Sequence, residues 1–77
     1  MDKKAVEKII KSLEKTAKQL TKSNLTKGKV TVKSGIQNTI DAVETAREQA
    51  SSLNTFWKLE AEKDPIKGPV IYLTKRS

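Results

Sequence analysis

Six lysines, Lys4, Lys8, Lys11, Lys15, Lys18 and Lys22, recur at alternating spacings of four and three residues. On a helix that spacing lines them along one side, because each residue turns the chain by about 100°. The chemistry available to such a row is anion recognition, since ammonium groups donate hydrogen bonds to phosphate or carboxylate oxygens and accept none. At 1.5 Å per residue the row spans about 27 Å, enough to serve as a rail for phosphates. The same spacing also describes a solvated helix face on which lysine is simply a good helix former. A helix lying on an anionic membrane is disfavoured, because the apolar side lacks Trp and Phe and is needed for the core.

A second group is Lys29, Lys33, Phe56, Lys58 and Tyr72. If residues 28–33, 55–62 and 70–74 form strands of one sheet, these side chains point away from the helices. Aromatic rings among lysines on an open sheet can stack bases while the charges hold the backbone. The plainer alternative is that Phe56 and Tyr72 merely cover the sheet or form a patch for another protein. Because Phe56 and Trp57 are adjacent, only one of them can face the core on a strand. Trp57 is assigned to the core as its largest packing element.

Catalysis is not expected. The chain has no His and no Cys, which removes the usual general base, the thiol nucleophile and the commonest metal ligands. Its three glycines, at 28, 35 and 68, are too scattered for a phosphate-binding loop. Glu60, Glu62 and Asp64 could approach a Mg²⁺ ion, but Lys58 and Lys63 beside them favour a solvated edge strand. No cofactor, metal or small-molecule substrate is expected.

Seventy-seven residues suit one domain, taken as 1–77. No stretch approaches the roughly 20 apolar residues of a membrane span, and no export signal is visible. The expectation is a cytoplasmic protein. Of the net charge of +7, residues 1–34 carry all of it, with ten Lys against Asp2, Glu7 and Glu14; residues 35–77 balance six basic with six acidic residues. That asymmetry points the first half at an anionic partner.

The elements that must position these residues follow from periodicity. Residues 2–23 read as an amphipathic helix with Val6, Ile9, Ile10, Leu13, Ala17 and Leu20 inward, supported by Glu7–Lys11 and Glu14–Lys18 pairs and ended by a left-handed Asn24. Residues 28–33 alternate as a strand with Val30 and Val32 inward. Ser34 and Gln37 suggest a capping box for a second helix burying Ile36, Ile40, Val43, Ala46, Ala50 and Leu53. That helix is expected to end within residues 51–55. Residues 55–62 are assigned to a strand in preference to a helical continuation, and a turn at 64–69 leads into a strand at 70–74 that is apolar enough to be central. The expected fold is α+β, in the order α-β-α-β-β: a three-stranded, mainly antiparallel sheet with two helices packed on one face.

Two functions fit. One is nucleic-acid binding, to DNA or RNA, through the lysines of the N-terminal half and the open sheet face. The other is a protein-binding inhibitor or adaptor, of the kind mobile elements encode, whose basic face docks on an acidic or nucleic-acid-binding protein.

Overall fold

The computed structural model describes residues 2–76. Its elements run α1 (Lys3–Lys22), β1 (Lys27–Thr31), α2 (Ile36–Gln49), α3 (Ser51–Phe56), β2 (Trp57–Asp64) and β3 (Gly68–Lys75). The sheet order is β1-β3-β2, with β3 antiparallel to both neighbours. This is the α+β topology expected from patterning, with one short helix added before β2. The helices form one layer and the sheet the other.

α1 begins where Asp2 accepts a hydrogen bond from the Ala5 amide at 3.2 Å. It ends in a Schellman motif. The Leu25 amide returns to the Leu20 carbonyl at 2.9 Å and the Asn24 amide to that of Thr21 at 3.2 Å. Asn24 takes the left-handed conformation this requires, with φ of 55°. Val6, Ile9, Leu13, Ala17 and Leu20 are buried, while Ile10 is packed against the core only in part. The two expected helix pairs do not form: among the described residues the only ion pair is Lys58–Glu60. Gly28 lets α1 lie close on β1, since a Cβ there would stand 2.6 Å from Leu20 Cδ1.

α2 starts differently from the expected capping box. Its cap is Gly35, at φ 103°, and no side chain bonds to the first turn. Ser34 instead lends its carbonyl to the Asn38 side chain, and Gln37 donates to Asp41. The glycine's backbone sets the boundary, because side-chain-bearing residues avoid that conformation. Gly35→Ala should therefore destabilise the fold by about 1–2 kcal/mol. Nothing lies within 4 Å of a Cβ there, so the cost would be conformational. Denaturant unfolding checks it, and an unchanged midpoint would show that the turn relaxes freely.

The buried side of α2 is also rotated from the expected one. Thr39, Ala42, Val43 and Ala46 are buried, whereas Ile36 and Ile40 are each 38 % exposed. Thr39 can occupy the core because its hydroxyl donates to the Gly35 carbonyl at 2.8 Å. The Arg47 guanidinium fixes α2 to the sheet edge by donating to the Leu59 carbonyl at 2.9 Å.

The segment around residue 55 needs the largest correction. The helix breaks at Ala50 (φ −105°, ψ 65°) but restarts as α3, which continues through Phe56. Local hydrogen bonds support that extra turn: the Asn54 amide to Ala50 O at 3.1 Å and the Thr55 hydroxyl to Ser51 O at 2.7 Å. Leu53 anchors it in the core. Only at Trp57 does the chain become extended. Trp57, Leu59, Ile71 and Leu73 then complete the core from the sheet side. β1 ends at Thr31, although Val32 remains buried and its amide donates to the Pro69 carbonyl at 2.9 Å.

Candidate nucleic-acid interface

All six lysines of α1 from Lys4 to Lys22 are exposed. Projected down the helix they fall within about 40° of a common line, opposite the buried row from Val6 to Leu20. Burial of that apolar row thus aims the lysines straight out from the helix layer. Glu7 and Glu14 are on the flank of the ridge, and neither bridges to a described lysine within 4 Å. The ridge is therefore a continuous line of positive charge in which, among the described residues, no lysine is ion-paired.

Two grooves flank it. One, of about 690 Å³, runs between the first half of α1 and the end of β1, and brings Lys33 beside Lys4 and Lys8. Lys33 lies in the turn after β1 and so joins the ridge instead of the sheet face. The other groove, of about 770 Å³, separates the second half of α1 from the α2–α3 junction. Its walls include Lys15, Lys18 and Lys22 on one side and Leu53, Phe56 and Trp57 on the other. Phe56 is 62 % exposed, whereas Trp57 is 4 % exposed. Arg76, just after β3, holds α3 in place, its amide donating to Phe56 O at 2.9 Å and its Nε to Asn54 O at 2.8 Å.

The open sheet face differs from the expected aromatic platform. Phe56 is absent from it, since it ends α3 and lines the groove across from α1. Strand register sets Tyr72 between Lys29 and Glu60, and Thr74 between Lys27 and Lys58. Glu62 stands opposite Val70 on the same side. Alternation therefore delivers two carboxylates to this face along with its lysines. Lys58 is engaged with Glu60 at 3.2 Å. The Lys29 ammonium holds Lys67, in the turn between β2 and β3, below the usual lysine range. The face is of mixed sign, with one half-buried aromatic ring.

Asp64 is used locally. Its Oδ1 accepts the amides of Ile66 at 2.8 Å and Lys67 at 2.9 Å, building the turn that Gly68 closes at φ 80°. Those amides, Lys67 first, hold its carboxyl below the usual aspartate range. A depressed folded pKa stabilises the native state fully above the unfolded value of about 3.9 and loses that contribution as pH falls through the folded value. The wild type should therefore lose stability on acidification through this window, and Asp64→Asn should flatten that part of the profile. Urea midpoints against pH provide the check, and profiles of identical slope would remove Asp64 as a source.

No protein-family model matches the chain, and no curated protein or solved structure is significantly similar to it.

The structure thus divides the sequence-derived set. Lys4, Lys8, Lys11, Lys15, Lys18 and Lys22 share one ridge, with Lys33 beside it and Phe56 at its far end. Lys29, Lys58 and Tyr72 lie on the open sheet, on the far side from the helix layer. Sequence reasoning missed the groove between α1 and α3. The signal for it was the Phe56–Trp57 pair, which changes meaning once the helix runs one residue further. No described helix is long and apolar enough to cross a membrane.

Proposed function

We propose that this protein is a non-enzymatic nucleic-acid-binding domain that uses the outer ridge of α1. The observation that carries the reading is the row of six lysines opposite the buried face of α1, unpaired among the described residues. Each lysine that meets a phosphate displaces condensed counterions, so affinity comes chiefly from charge and falls steeply with salt. The setting this assumes is the cytoplasm, with whose reducing conditions a chain without cysteine is compatible.

Engagement of all six lysines gives log K a slope against log salt of about −5 on duplex DNA and about −4 on a single strand. Fluorescence anisotropy of labelled oligonucleotides between about 50 and 200 mM salt measures it. Absence of binding at the low end would overturn the proposal.

The competing reading is an inhibitor or adaptor docked on an acidic protein, and Ile36 and Ile40 favour it, since both remain partly exposed on α2. Such a contact would be specific to one protein, and salt would act mainly on its association rate.

A further inference from the structure

We infer that the groove between α1 and α3 is a base-binding slot, and that the preferred ligand is therefore a single strand. This rests on the proposed phosphate contact along α1 and adds to it a site for the bases. Three of the six ridge lysines, Lys15, Lys18 and Lys22, also line the groove. A backbone held on that half of the ridge has its bases within reach of the opposite wall.

That wall is suited to them. Phe56 presents an exposed ring on a backbone that Arg76 holds through hydrogen bonds to the Phe56 and Asn54 carbonyls. Every base has a π-face, so an exposed phenyl beside cations binds unstacked bases with little regard to sequence. Gln49, Ser51 and Ser52 also line the groove and offer hydrogen-bonding groups to base edges. Its volume of about 770 Å³ exceeds what a single planar base requires, and falls in the range of about 300–1,000 Å³ that accepts drug-sized ligands. A duplex keeps its bases stacked and paired, so it gains the ridge but not the ring. An acidic peptide would satisfy the lysines but has no planar group for Phe56 to stack on.

The test compares an oligothymidylate with a duplex of equal length, for wild type and for Phe56→Ala, Phe56→Tyr and Phe56→Trp. Wild type binds the single strand more tightly, and Phe56→Ala loses about tenfold or more on it, the worth of one stacked base. Duplex affinity stays the same, and the Tyr and Trp variants restore single-strand binding. Because Phe56 is largely exposed, truncation leaves the denaturation midpoint in place. In the wild type, Trp57, the only tryptophan and part of the groove wall, changes its fluorescence on binding the single strand.

If Phe56→Ala binds both ligands as wild type does, the slot is refuted while the ridge stands. The slot is equally refuted if an acidic peptide displaces the oligonucleotide with a Phe56 dependence of its own. If wild type binds neither nucleic acid at low salt, the ridge reading fails and the slot falls with it.

Discussion

Trp57→Ala should remove about 3–5 kcal/mol of stability, the cost of deleting a large buried aromatic. At about 0.05–0.15 kcal/mol per residue a domain of this length holds only about 4–12 kcal/mol in total. Trp57 is the junction of the molecule: it caps α3, opens β2, belongs to the main core and faces α1 across the groove. Circular dichroism during urea unfolding should show a midpoint shifted far down or a transition already begun without denaturant. Trp57→Phe should fall between that variant and wild type, because most of the buried ring area is retained. A wild-type midpoint in the alanine variant would mean that residue 57 is not part of the core. The neighbouring Phe56→Ala should cost no more than about 0.5 kcal/mol, as expected for an exposed position. Adjacent aromatics thus have separable roles, one in the fold and one at the surface.

The second large effect concerns the ridge. Replacing Lys8, Lys11, Lys15 and Lys18 together by Gln should weaken nucleic-acid binding by about 30- to 1,000-fold, taking about 0.5–1 kcal/mol for each exposed charge contact. The salt slope on duplex DNA should fall from about −5 to about −2 as the number of engaged lysines drops from six to two. Gln is nearly as good a helix former as Lys, and all four positions are exposed, so stability should hardly change. The matching control is Lys29, Lys58 and Tyr72 on the open sheet. Altering these should leave affinity close to wild type, since Lys58 is paired with Glu60 and the face is of mixed sign. Equal losses in both variants would mean that binding follows net charge and not the ridge.

Much of this architecture was legible in the chain. The α1 stripe is unambiguous, because the apolar row keeps helical period for about four turns and the lysine row for about five, and burial then had only one solution. The central place of β3 followed from its apolar run between two strands that carry charge. What stayed hidden lay where local preference and tertiary packing disagree. Ser51, Ser52, Asn54 and Thr55 are weak helix formers, yet Leu53 seats in the core, and the Thr55 hydroxyl and the Asn54 amide close another turn. That single added turn carries Phe56 from the sheet face to the groove. The burial of Thr39 was likewise invisible, because its polarity is cancelled only by a carbonyl one turn away. Ile36 and Ile40 looked like core from their spacing with Val43, but the buried side of α2 runs through Thr39, Ala42, Val43 and Ala46 and leaves them toward the rim. The ridge could be read from spacing alone, whereas the groove required the fold.

The central claim is that nucleic acid is bound by the outer face of α1. An amide-resolved NMR titration of the ¹⁵N-labelled protein with oligothymidylate at low salt addresses it most directly. Perturbations should follow the lysine face from Lys4 to Lys22 and reach Ser51 to Trp57, while Lys29, Lys58 and Tyr72 stay unmoved. Shifts centred on Lys29, Lys58 and Tyr72, or a spectrum that does not change, would contradict it.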